Sequence, residues 1–205
     1  MAEMREYMED SCAVFHRIRD EFGGFSNMAT GLGYQVDGIG VLSSEHHYQA
    51  SRFPDNPEIQ HLILGISSPI MAKRKAYEFI DLTRDDWKEV NIRIMRHCIQ
   101  LRYAFNLPRL SALYGKTGAL PIVEKSTRDD FWGAKPVGGG KLRGVNALGR
   151  LHLEHRQTIS RQPGMFTREV EAPNVSDYRL LDRDIGITHV QEDHTSPGWQ
   201  AELDL

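Results

Sequence analysis

Residues 43–53 read Ser43-Ser44-Glu45-His46-His47-Tyr48-Gln49-Ala50-Ser51-Arg52-Phe53. Two serines that can cap a helix precede a carboxylate, and Glu45, Gln49 and Arg52 then stand at i, i+4 and i+7. That spacing puts all three on one helical face. A carboxylate, an amide and a guanidinium aligned in this way suit a pocket that holds a polar, anionic ligand. Taken alone, Glu45 reads first as an acidic residue favoured in a first helical turn by the macrodipole.

Helical signals dominate the chain beyond this segment. Pro69 opens a helix carrying Met71, Ala72, Ala76 and Phe79. Thr83 and Asp86 offer a capping box to the clearest helix, Asp86–Asn106. Its stripe Trp87, Val90, Ile94, Cys98, Leu101 and Phe105 recurs every three or four residues. A shorter helix is expected up to Tyr114 with a stop at Gly115, and a last one over residues 145–157.

Upstream, residues 22–42 mix glycines with apolar residues, which predicts short strands and a hairpin turning at Asp37-Gly38. Residues 120–123 read as a short strand and the glycine-rich 133–144 as a flexible loop. The expected fold is mainly α with a few short β-strands, in a single domain over residues 22–160. Residues 1–21 are an N-terminal extension, and 161–205 a C-terminal tail that packs in part and frays near Leu205.

The 205 residues, 40% of them apolar, suffice for one good core. A net charge of −3 and a pI near 6.3 exclude a broad basic surface, so any nucleic acid must be gripped through a local patch. Cys12 and Cys98 are too few for a disulfide framework or a cysteine-based zinc site. No run is long and apolar enough to span a bilayer, and the acidic start is unlike a signal peptide. A cytoplasmic protein with no membrane partner is expected.

Four more blocks accompany residues 43–53: Phe25-Ser26-Asn27-Met28, Val123-Glu124-Lys125-Ser126, Asp129-Asp130-Phe131-Trp132-Gly133 and Gly144-Val145-Asn146-Ala147-Leu148-Gly149. In this order they resemble the NADAR (YbiA-like) family, named for its association with NAD and ADP-ribose metabolism, over residues 22–157. The resemblance implies the YbiA-like fold and a functional glutamate at Glu45, which reverses the first reading of that residue. It also singles out Asp129, three residues before Trp132, with Asp130 a neighbour. Two carboxylates on separate segments are what hydrolysis of a glycosidic bond requires. Glu45 is expected at the ribose and Asp129 near the leaving base.

Ser26, Asn27, Gln49, Arg52, Lys73, Trp87, Trp132, Gly133 and Asn146 are the candidate ligand-binding residues. Several have a plainer reading beside this one. Asn27 and Asn146 suit local capping equally well, Trp87 belongs to an apolar stripe, and Lys73 with Arg74 can be solvated cations. Gly115-Lys116-Thr117 ends like a phosphate-binding loop, but Leu110 stands where the glycine is required. His46 and His47 diverge by about 100° on a helix, and His152 with His155 lacks a third ligand, so no metal is expected.

Within the family, riboflavin-pathway N-glycosidases carry lysine where this chain has Arg52. Lysine can form a Schiff base, whereas a permanently protonated arginine cannot. Residues 49–54, 68–73, 129–136, 148–151 and 178–181 with 185–186 look more similar to antitoxins that pair with a DNA ADP-ribosyltransferase toxin. That resemblance implies hydrolysis of the bond between ADP-ribose and guanine in DNA, with ADP-ribose as product, a cognate toxin as partner and no cofactor. The alternatives are an N-glycosidase of small ribosylamino-pyrimidine phosphates, a non-catalytic ADP-ribose reader, and direct neutralisation of a toxin by contact.

Overall fold

A computed structural model describes residues 3–190. The chain enters through β1 (Arg5–Met8), β2 (Ala13–Phe15), β3 (Tyr34–Val36) and β4 (Ile39–Val41). Next come α1 (Ser44–Ala50), α2 (Pro57–Leu64), α3 (Pro69–Glu78), α4 (Trp87–Phe105) and α5 (Leu107–Thr117). The second half holds β5 (Ile122–Glu124), β6 (Lys135–Gly138), β7 (Lys141–Gly144) and α6 (Ala147–Arg161), then β8 (Glu169–Val170), β9 (Arg179–Leu180), β10 (Arg183–Asp184) and β11 (Thr188–His189). Among the described residues, six α-helices with several small sheets make this a mixed α/β fold, where mainly α was expected.

The difference comes from strands too short or too glycine-rich to show a period of two. Within the stretch 133–144, residues 135–144 form the hairpin β6–β7, not a loop. Gly138, Gly139 and Gly140 turn it at φ 93°, 57° and 71°, which glycine alone adopts freely. β1 adds antiparallel to β7, giving the order β1-β7-β6. β2 runs parallel to β5, with Phe15 opposite Glu124. The β3–β4 hairpin turns at Asp37 and Gly38, both at positive φ, as expected.

α4 is the axis of the core, with Val90, Ile94, Cys98 and Leu101 fully or nearly buried and with α1 and α6 packed against it. No capping box precedes it, because Arg84 takes the Asp86 carboxylate at 2.5 and 3.0 Å. α5 runs through Gly115 and stops at Gly118 (φ 50°), where the left-handed backbone ends it. The C-terminal segment packs back onto the helices. Tyr178 and Leu180 are buried, and Gln60 of α2 bonds the Arg179 carbonyl and the Leu181 amide. The expected fraying near Leu205 lies outside the described residues.

One buried cation prepares the site. Arg102 of α4 is 1% exposed and donates to the carbonyls of Ser26 (2.6 Å) and Phe25 (3.1 Å). His152 of α6 meets the Phe25 carbonyl at 2.9 Å through Nε2 and the Tyr114 hydroxyl at 2.7 Å through Nδ1. A charge this deep is stable only when hydrogen-bonded, and here the partners are the carbonyls that fix the segment 25–27.

Candidate active site

α1 is short but strongly anchored. Ser43 caps it, accepting from the His46 amide, and the His46 ring bonds the Ser43 hydroxyl (2.7 Å) and the Ile66 carbonyl (2.7 Å). The Glu45 amide donates to the Asn27 carbonyl at 3.1 Å, joining the helix to the segment that Arg102 holds. On the expected face, Gln49 Nε2 donates to Glu45 Oε1 at 2.8 Å and Arg52 Nε donates to Gln49 Oε1 at 2.7 Å. The amide has one orientation that satisfies both neighbours, so the relay fixes the carboxylate. The Arg52 guanidinium lies 4.4 Å from the centre of the Trp87 ring and 5.5 Å from that of Tyr77.

Glu45, Gln49 and Arg52 open into a cleft also lined by Ser26, Asn27, Lys73, Glu124, Asp129 and Trp132, with Tyr48, Tyr77 and Met95 completing its walls. Eight of the eleven residues singled out from the sequence therefore share one cavity. Trp87 stands behind Arg52 and against Tyr48 (4.8 Å between rings), supporting the cleft without lining it. Gly133 is needed for close approach, since a Cβ there would meet the Glu124 carbonyl oxygen at 2.7 Å. Asn146 is 1% exposed, and its amide clips the β5 backbone, accepting from Glu124 N (3.0 Å) and donating to Ile122 O (2.9 Å). It does not line the cleft.

Asp129 lines the cleft, yet much of its capacity is used locally. Oδ1 accepts from the amides of Phe131 and Trp132, both at 2.9 Å, and its own amide donates to Ser126 Oγ. This Asx turn orients Trp132, whose ring meets Tyr48 edge-on at 5.5 Å. Asp130 pairs instead with Lys135 at 2.8 Å.

One carboxylate, Glu124, the last residue of β5, stands in a block that carries the family resemblance but is not among the candidate site residues. It lines the cleft, and its carboxylate has no side-chain hydrogen bond or ion pair among the described residues. Loss of solvation raises its pKa to about 7, with the like charges of Asp129 and Glu45 adding and Lys73 opposing. Burial also raises the Glu45 pKa, but Lys73, the Gln49 hydrogen bond and Arg52 all pull it back. The available signal was its place in the block Val123-Glu124-Lys125-Ser126, an acidic residue closing a short apolar strand. Among the described residues, no cluster of three or more His, Cys, Asp or Glu side chains could hold a metal. No helix among them is long and apolar enough to cross a membrane.

Fold and cleft together define a YbiA-like α/β domain whose polar cleft combines carboxylates, cations and an aromatic wall. The NADAR domain matches residues 14–160, and the chain belongs to the NADAR family. It is 31% identical over 157 residues to the N-glycosidase YbiA of Escherichia coli K12, covering 77% of this chain and 94% of that protein. It is 29% identical to an N-glycosidase of Nostoc punctiforme, covering 71% and 90% of the two chains. A riboflavin biosynthesis protein of Vibrio vulnificus is 31% identical over 140 residues, 68% of this chain and 36% of that one. The solution structure of E. coli YbiA superposes with a TM-score of 0.63 at 30% identity, covering 76% of this chain and 89% of that one.

Proposed function

We propose that this protein is an N-glycosyl hydrolase that releases ADP-ribose from the amino group of guanine in DNA. Such a reaction reverses DNA ADP-ribosylation and would make the protein the antitoxin of an ADP-ribosyltransferase toxin. The observation that carries this reading is Glu45, fixed by the Gln49–Arg52 relay and facing the same cleft as Lys73 and Trp132. An N-glycosidic bond breaks through an oxocarbenium-like state, which a held carboxylate stabilises. Arg52 and Lys73 supply positive charge for a diphosphate, and Trp132 supplies a face for the ribose or base. Arg52 cannot form a Schiff base, which favours direct hydrolysis in this chain.

A second reading has its own support, the Vibrio relative named for riboflavin biosynthesis. The same cleft would then cleave a small ribosylamino-pyrimidine phosphate. The deciding experiment incubates the purified protein with a guanine-ADP-ribosylated oligonucleotide and follows free ADP-ribose by mass. Release that is abolished in Glu45→Gln is expected. Turnover of the pyrimidine phosphate with intact modified DNA would select the second reading, and tight ADP-ribose binding without turnover of either would make the protein a reader.

A further inference from the structure

We infer that Glu124 is the proton donor to the leaving nitrogen, and that Asp129 positions Trp132 instead of entering the reaction. This inference rests on the N-glycosidase reading and assigns the second chemical group of the same cleft.

Three carboxylates face the cavity, and their surroundings differ. Burial raises the Glu45 pKa, but the Gln49 hydrogen bond and the charges of Lys73 and Arg52 favour its charged form and pull it back. Asp129 has Oδ1 committed to two backbone amides. Glu124 has no such donor and confronts the other two carboxylates, with Lys73 alone opposing them. Environments that separate two carboxyl groups in this way assign the base and the acid. Glu124 is also held rigidly. Its amide donates to Asn146, its carbonyl accepts from Ala134, and Gly133 packs against that carbonyl. A general acid near neutral pH contributes most when its pKa lies close to the working pH, and about 7 meets that condition.

The step balances without a cofactor. The protonated Glu124 carboxyl gives its proton to the exocyclic nitrogen as the electron pair of the C1–N bond moves onto that nitrogen. A water oxygen bonds to C1, and its proton passes to the Glu45 carboxylate. Guanine leaves with its free amino group, ADP-ribose leaves with a hydroxyl at C1, and the two glutamates return to their starting states through solvent.

Two readouts test this. In wild-type protein with 13C-labelled glutamate, a carboxyl resonance should titrate near pH 7, vanish in Glu124→Gln and move to lower pH in Asp129→Asn. Absence of such a resonance overturns the inference. In the second, kcat is followed against pH on whichever substrate the wild type turns over, modified DNA or ribosylamino-pyrimidine phosphate. Glu124→Gln should lose about 100-fold or more in kcat together with the basic limb of the profile. Glu124→Asp should recover part of it, and ADP-ribose affinity should change by less than about threefold in both. An active wild type whose Glu124→Gln variant keeps kcat and the basic limb overturns the inference and leaves the glycosidase reading standing. A wild type that turns over neither substrate sinks both.

Discussion

The hydroxyl of Tyr178 lies 2.6 Å from Nε2 of His47, so the C-terminal segment reaches the back of the helix whose front carries Glu45. The other ring nitrogen of His47 meets the Tyr34 hydroxyl at 3.1 Å, and Tyr178 also meets His97 Nδ1 at 2.9 Å. All four side chains are buried. A short helix of seven residues gains little from its own hydrogen bonds, so its placement depends on such tertiary anchors.

Replacing Tyr178 with Phe keeps the ring and removes the hydroxyl that both histidines share. Two buried imidazoles then lose a partner, at a cost of about 1–3 kcal/mol. The expected result is a lower urea midpoint with an unchanged m-value. Turnover should fall far less than in Glu45→Gln, because the front of α1 retains its relay.

The buried histidines also make stability depend on acid. Loss of solvation pushes His97 and His155 down to about 3, and His47 and His152 well below the ordinary range. In the unfolded chain each titrates near the ordinary histidine value of 6.5. Below that pH the unfolded state binds more protons than the folded one, so stability falls as pH drops, by about 1.4 kcal/mol per pH unit for each histidine fully in this window. Glu124 works in the other direction. Its folded pKa of about 7 exceeds the unfolded 4.5, so between those values the folded state holds the extra proton and gains stability as pH falls. These four histidines, with His46 also pushed down by burial, outweigh Glu124 and Glu45 together. The melting temperature should therefore decline steadily from pH 7 to pH 5, and a flat or rising profile would show that the histidines charge in place.

The parts of the site legible in sequence were those written locally. Ser43, Glu45, Gln49 and Arg52 obey a helical period, and the structure joins them by hydrogen bonds along that face. Glu124 obeyed no period, because what distinguishes it is its place beside Asp129, five residues on, and Glu45, from a distant helix. Residues 133–144 look like a loop because glycines at positive φ carry no side-chain alternation, although their backbones pair. Asn146 suggested a ligand because an amide beside a glycine is chemically open, whereas its true partners lie on β5, 22 and 24 residues away.

Asn146→Ala tests that structural role. The substitution removes two buried hydrogen bonds to β5 and puts alanine at φ 53°, a left-handed conformation that alanine tolerates less well than asparagine. A loss of about 2–4 kcal/mol in stability is expected. Under conditions where the variant is folded, ADP-ribose affinity measured by calorimetry should stay within about threefold of wild type. A tenfold loss of affinity in a fully folded variant would return Asn146 to the binding site.

Arg52→Lys separates charge from geometry. Lysine keeps the positive charge but has no Nε–H to donate to Gln49 and no planar group to lie over Trp87. Gln49 would then lose the partner that sets its amide orientation, and Glu45 would be held by an amide free to rotate. Loss of one such charge-assisted bond corresponds to about 1.5–3 kcal/mol, part of which the retained charge offsets. The expected kcat/KM is about tenfold below wild type. A hydrophobic replacement of matching length, Arg52→Met, should fall further by removing the charge as well. Equal activity of the lysine variant and wild type would mean that Arg52 acts as a point charge, and that the relay to Glu45 is without consequence for turnover.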